Sequence, residues 1–183
     1  MSDPLSLPTL PAALDAQGVR LRARQSGDQL AVDQLYQQWR IEQFVVGGLP
    51  LADCQQLASQ QCRAQRQHYR LLEGPLAWGV VEQHGQCVGR LYLQQHGDDL
   101  HILDILLQPA SRNHGLGSAL LTVLATRTPP LVARSSTLLV ELNNPAPRCC
   151  INAWLCADRG KRCARPDGVA GVKRSHNAPG VVA

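Results

Sequence analysis

The chain is predicted to fold as one α/β (α+β) domain, a mixed sheet flanked by helices, and three observations carry that prediction. Residues 100–107 are apolar at every position except His101 and Asp104, the composition of a strand covered on both faces. After Pro109 the apolar period changes, and Leu116, Ala119, Leu120, Val123 and Leu124 are spaced as the stripe of a core-facing helix. Other short strands and amphipathic helices lie on either side of this pair without internal repeat, in a chain of 183 residues that suits a single core.

From the amino end, residues 1–17 form a loose segment, with Pro4, Pro8 and Pro11 among the first eleven. Residues 18–24 alternate as a short strand. Ser26 is positioned to cap a helix carrying Leu30, Leu35, Tyr36 and Trp39. A second helix runs from Asp53 to about Tyr69, with a glutamine-rich face. Residues 76–83 and 86–95 are two strands around His84-Gly85, a hairpin turn. The turn Gly97-Asp98-Asp99 leads into the apolar strand. Beyond the helix that follows, Pro129 and Pro130 precede another strand, residues 136–142, and then Asn143, Asn144, Pro145 and Ala146.

The run from Ser111 to Ser118 joins the apolar strand to its helix, and its composition suits an anion. Gly115 and Gly117 let the backbone approach a ligand without Cβ atoms in the way. The N–H groups of the first helical turn lack partners and stand at the positive end of the dipole, where phosphate binds well. Two common phosphate motifs are excluded. The dinucleotide fingerprint needs a third glycine where this chain has Leu120, and the Gly-Lys-Ser/Thr of a P-loop is absent.

What remains, Arg112-x-x-Gly115-x-Gly117 between strand and helix, resembles the pyrophosphate loop of the GNAT acetyltransferase superfamily, whose pattern is Gln/Arg-x-x-Gly-x-Gly/Ala. The elements come in that family's order over residues 18–146. Gly89-Arg90-Leu91-Tyr92-Leu93 and Asp104-Ile105 look like the corresponding strands of small bacterial members, and Asn143-x-x-Ala146 matches an Asn-x-x-Ala segment. The resemblance implies the GNAT acyl-CoA N-acyltransferase fold, acetyl-CoA as co-substrate and transfer of its acetyl group to a primary amine by direct attack.

By position, it implies that pantetheine meets the backbone of Ile105, Leu106 and Leu107. Pyrophosphate would meet Arg112, Asn113, His114, Gly115, Leu116, Gly117 and Ser118, and Asn143 belongs to the same cofactor side. A strand N–H near Leu106 or Leu107 would stabilise the oxyanion, with most of the acceleration coming from juxtaposition of amine and thioester. As general base, Glu141 is the first candidate, sharing a strand face with Asn143 and acting through water. Asp104 is the second, read as lying between Ile102 and Leu106 on one apolar face, where burial would raise its pKa. For either carboxylate the competing role is structural, as a hydrogen-bond acceptor or a partner for Arg90. Trp39, Phe44, Gln65, His68 and Tyr69 could line the acceptor side, and His68, His101 and His114 read as packing or surface residues.

After Ala146 the pattern breaks. The family continues into Leu-Tyr-x-x-x-Gly-Phe, whose tyrosine is the usual acid for the departing thiolate; here Cys149 and Cys150 stand in its place. Residues 147–183 hold four of the seven cysteines, seven of the 18 Lys and Arg, and two of the 14 Asp and Glu, so all the net positive charge lies there. Written as TGC TGT ATC AAC GCC TGG and read from the third base, Cys149 to Trp154 become Leu-Tyr-Gln-Arg-Leu. Trp154 onward, read from the second base, can give Gly-Phe, a plausible strand and a stop across Val172 and Lys173. The tail is therefore expected to be a frameshifted acetyltransferase end, disordered, with the last helix and strand disrupted; in-frame relatives carrying the same tail would sink that reading.

Other classes are excluded or set aside. Cys149, Cys150, Cys156 and Cys163 lack the paired spacing of zinc sites, so no metal is expected. The basic tail has neither a groove-reading motif nor interleaved aromatics, so nucleic acid is not expected. With no signal segment and no apolar run of spanning length, the expected compartment is the cytoplasm without membrane attachment, and a homodimer is compatible with the family. Two alternatives stay open beside the enzyme: a noncatalytic acyl-CoA-binding or sensing protein on this fold, and an inactive frameshifted product.

Overall fold

The computed structural model describes residues 5–97, 99–126, 135–141 and 169–175. Its elements are α1 (Ala12–Asp15), β1 (Val19–Ala23), α2 (Gln29–Val46), α3 (Leu51–Arg70), β2 (Leu76–Gln83), β3 (Gln86–His96), β4 (Asp99–Leu107), α4 (Leu116–Thr126), β5 (Ser135–Glu141) and β6 (Val169–Ser175). The six strands form one sheet in sequence order. All neighbours are antiparallel except β4 and β5, which α4 connects as parallel strands.

The sheet is covered on both faces, as the apolar β4 required. On one face Val81, Leu91, Leu93, Ile102 and Leu107 pack with Leu116, Leu120, Leu121 and Leu124 of α4, all at most 9% exposed. On the other, Val80, Tyr92 and Leu106 meet Val32, Leu35, Tyr36 and Cys62 from α2 and α3. Cys54, Ala58 and Cys62 recur every four residues as the buried stripe of α3, and the glutamines at 55, 56 and 60 face outward. The hairpin is as read, with both His84 (φ 52°) and Gly85 (φ 79°) in the left-handed region of a tight two-residue turn.

Three local expectations are corrected. Residues 5–17 are not loose: Leu5, Leu7, Leu10 and Leu14 pack against the α4-side core and Pro8 is buried, because β1 and β2 leave apolar surface there. Ser26 does not cap α2. It starts a short 3₁₀ turn whose capping hydrogen bonds are exchanged by Gln25 and Asp28. Within the tail expected to be disordered, residues 169–175 form β6, paired with every residue of β5 from Ser135↔Ser175 to Glu141↔Val169. The bare edge of β5 offers a row of unpaired peptide groups, and an extended segment satisfies them whatever its side chains.

Asp28 also fixes β1 to α2. It accepts from both Arg22 Nη atoms at 2.6 and 2.7 Å and from the Gln25 amide at 2.7 Å, while Arg22 also reaches Glu82 at 2.6 Å. The Arg22 hydrogen bond, then that of Gln25, holds the Asp28 carboxyl down at about 2 from 3.8. A carboxylate depressed in the folded state contributes stability above about pH 4, lost as pH falls through about 2. Asp28→Asn is expected to lower the urea midpoint at neutral pH and to flatten its decline across that acid window, which a pH series of denaturation curves measures.

Among the described residues no helix is long and apolar enough to cross a membrane, and no group of three or more His, Cys, Asp or Glu is placed to hold a metal ion.

Candidate active site

The site begins where two strands part. β4 and β5 pair only over Asp99–Ile102 and Ser135–Leu138, although β4 continues to Leu107 and β5 to Glu141. The cause lies in β4. Tyr92 of β3 faces Asp104 and the next residue, Leu93, faces Ile102, so Leu103 is an extra residue on β4, a bulge that bends the strand. Beyond it, the β4 edge at 103–107 faces β5 without ladder bonds to it. Ile105, Leu106 and Leu107 all lie on that edge.

The bulge also corrects a face assignment. Period two places Ile102, Asp104 and Leu106 together, but Ile102 belongs to the α4-side core while Leu103, Asp104 and Leu106 meet α2 and α3. Two consecutive residues turn to one face because one of them is extra.

The glycine loop lies at the end of this edge. Gln108 donates its amide to Val88 O (2.8 Å), and residues 109–111 make a 3₁₀ turn held by Ser111 N to Gln108 O at 3.0 Å. Asn113 (φ 63°) and Gly115 (φ 81°) are both left-handed, and a Cβ on Gly115 would meet nothing within 4 Å. Left-handed geometry is why glycine is required there, and the empty space above it is room for a ligand. Asn113, His114 and Gly115 are exposed. The first bond of the helix is Ala119 N to Gly115 O, so the N–H groups of Leu116, Gly117 and Ser118 have no partner within the helix. Gly117 sits inside the first turn of α4 rather than in the loop. Arg112 folds back, with Nε donating to Leu107 O at 2.8 Å and Nη1 4.0 Å from Glu42 of α2.

The α2/α3 side of β4 holds a buried polar cluster. Arg90, 3% exposed, donates Nη2 to Gln65 Oε1 at 2.8 Å and makes its closest contact with Asp104 Oδ2. The Tyr69 hydroxyl is 3.5 Å from the same carboxylate oxygen. Rings enclose the guanidinium, with Tyr36 and Tyr92 centroids at 4.9 and 5.1 Å. Burial opposes the Arg90 charge, but Asp104 and the neighbouring tyrosines outweigh it and hold its pKa above the ordinary value. Burial, then the Asp104 charge, pushes the Tyr69 hydroxyl far up, so it stays protonated. Arg90 Nε has no hydrogen-bond partner among the described residues.

Of the candidate residues, Asp104, Ile105, Leu106, Leu107 and the loop 112–118 come together along one β4 edge. Glu141 ends β5, on the far wall of the opening, with Val169 as its β6 neighbour. Asn143, Cys149 and Cys150 lie outside the described residues. Gln65 and Tyr69 join the polar cluster and Trp39 packs beside Tyr36 and Leu106, whereas His68 is exposed. For Arg90 the sequence does carry a signal, a cation inside the apolar run from Val88 to Leu93. A cavity of about 900 Å³ between the amino-terminal segment and β1 lies at the other edge of the sheet and holds none of these candidates.

The profile of the Acetyltransferase (GNAT) family matches residues 32–148. The chain belongs to that family. Solved structures with the same fold include the PaiA N-acetyltransferase of Thermoplasma acidophilum in complex with coenzyme A, at TM-score 0.57 and 11% identity over 86% of this chain and 99% of that one. The ribosomal-protein-S18-alanine N-acetyltransferase of Escherichia coli aligns at TM-score 0.56 and 14% identity over 88% and 96%. RimL, a ribosomal L7/L12 alpha-N-protein acetyltransferase in complex with coenzyme A, aligns at 0.52 and 14% over 86% and 94%. Among curated proteins none matches the chain in sequence.

Proposed function

We propose that the chain is an acetyl-CoA-dependent N-acetyltransferase that transfers acetyl to a primary amine by direct attack. The observation that carries this is the parting of β4 from β5 beside the left-handed glycine loop, in a chain of the GNAT family. Pantetheine lies in the opening and pairs with the backbone at Ile105–Leu107 as an added strand would. The pyrophosphate rests on residues 112–118, where unpaired amides and Arg112 neutralise it. Arg112 exchanges its distant Glu42 partner for phosphate. An N–H of Leu106 or Leu107 polarises the thioester carbonyl and stabilises the oxyanion.

The amine approaches from the α2/α3 side. Glu141 takes its proton through water, since Asp104 is engaged by Arg90 and Tyr69. Water is kept from the reacting centre by Leu35, Tyr36 and Leu106, each at most 8% exposed.

The family match ends at residue 148, where the sequence leaves the family pattern. This favours an out-of-frame ending from about Pro147. Calorimetric titration of acetyl-CoA into this chain and into a version ending Leu-Tyr-Gln-Arg-Leu-Gly-Phe tests both readings together. Binding by both, with amine-dependent release of CoA, is the expected result. Binding by the repaired version alone makes the tail a lesion; binding by both without turnover of any amine assigns the chain to noncatalytic acyl-CoA proteins; binding by neither overturns the function.

A further inference from the structure

The edge of the sheet away from the β4/β5 opening carries a pattern that specifies a partner. We infer that β1 receives an extended segment of another protein as an added antiparallel strand, one whose residues alternate between acidic and apolar.

β1 stands first in the sheet, so among the described residues no strand lies beside its outer edge. Two bonds to the β2 side fix which peptide groups that edge presents. His84 N donates to Gly18 O at 2.9 Å, and Arg24 N donates to Trp78 O at 2.8 Å. Between them the register runs without a shift, so Arg20 and Arg22, like Gly18 and Arg24, turn their N–H and C=O groups toward β2. Val19, Leu21 and Ala23 turn theirs outward. β1 and the amino-terminal segment border a cavity of about 900 Å³ here. That segment lies over the sheet face: Leu7 Cδ2 and Leu21 Cδ1 are 2.9 and 3.0 Å from where a Cβ on Gly79 would stand.

Side chains divide by the same period. Val19 and Leu21 join Leu5, Leu7 and Leu10 at the α4-side core, while Arg20, Arg22 and Arg24 form a row on the opposite face. Asp28 and Glu82 hold Arg22, and Arg20 reaches Asp15 at 3.4 Å where both are largely exposed. Arg24 meets no carboxylate within ion-pair distance among the described residues. It is half-buried, with its guanidinium 5.6 and 5.7 Å from the Trp78 and Tyr92 ring centroids, and it donates to the Tyr92 hydroxyl at 3.3 Å. Arg24 and Trp78 both line the cavity, so a cation already held in place waits there for a carboxylate.

The alternation also discriminates against a second copy of this chain. An antiparallel ladder joins outward groups to outward groups, so odd-numbered residues of β1 would oppose odd-numbered residues of the copy. Arginine would then oppose arginine in every register, and like charges directly opposite destabilise a sheet. A strand with carboxylates at alternate positions reverses the sign of those contacts. Its apolar residues continue the surface of Leu5, Leu7 and Leu21.

The test titrates the peptide acetyl-Glu-Val-Glu-Val-Glu-Val-Glu-amide into the full chain by calorimetry, with sedimentation of the chain alone and with peptide. The expected result is saturable one-to-one binding that weakens as NaCl is raised. Arg24→Gln should weaken it about tenfold at an unchanged melting temperature, as loss of a charge-assisted hydrogen bond requires. N-methylation of the three valines, opposite Val19, Leu21 and Ala23, should abolish binding, whereas N-methylation of the glutamates should leave it. The methylated peptides decide the matter even where Arg24→Gln lowers the melting temperature, because they leave the protein unaltered. No binding at millimolar peptide overturns the proposal. So does equal binding of the lysine-for-glutamate peptide, or of the valine-methylated one. A dimer that the peptide dissociates also overturns it, by giving the edge to a second copy.

Discussion

Arg90→Ala is expected to destabilise the fold by about 3 kcal/mol, at the low end for breaking a buried ion pair because Asp104 retains 17% exposure. The loss has two parts. The guanidinium leaves Gln65 and Asp104 without their shared donor, and it removes the cation stacked between Tyr36 and Tyr92. The larger part is the Asp104 carboxylate, left with the distant Tyr69 hydroxyl and its remaining exposure to water. Equilibrium denaturation measures the effect. Replacing both partners, as Arg90→Met with Asp104→Leu, should recover most of it, since an apolar pair of similar volume removes the stranded charge. A single variant as stable as wild type would contradict the assigned pairing.

Gly89→Val is the second large effect. A Cβ built on Gly89 falls 2.7 Å from Leu106 O and 2.5 Å from Leu107 Cδ2. One of these is backbone, so a side chain can enter only by pushing β3 and β4 apart. A cost of about 3 kcal/mol, the upper end for overpacking, is expected in denaturation experiments. The displaced segment is also the edge proposed to receive pantetheine, so CoA affinity should fall beyond what the loss of stability explains. Calorimetry under conditions where the variant remains folded separates the two.

How far the sequence could lead is clearest from β4. Its apolar composition announced a doubly covered strand, and the switch of period after Pro109 announced the helix and the loop between them. Both follow from side-chain pattern. The bulge at Leu103 does not, because a single inserted residue leaves composition unchanged while reversing every face assignment before it. The placing of Asp104 was therefore wrong relative to Ile102 and right relative to Leu106. Ser26 failed as a cap for a related reason: Asp28 reaches both the Gln25 amide and the Arg22 guanidinium of β1, and that pair of contacts outweighs the local rule. The partners of Arg90 come from α3 and β4, at sequence separations of 25 and 14, where no local pattern can name them. The amino-terminal leucines were obscured by prolines, which set local backbone shape but say nothing of the apolar surface waiting beside β1.

The pairing of β5 with Val169–Ser175 has a consequence for how this chain can vary. That edge recognises its neighbour through peptide N–H and C=O groups, which every residue but proline presents alike. A change of reading frame rewrites side chains without altering the peptide repeat, so it can erase a catalytic tyrosine and still deliver a strand of the right length. The architecture at this boundary is indifferent to the genetic alphabet, and the chemistry beside it is not.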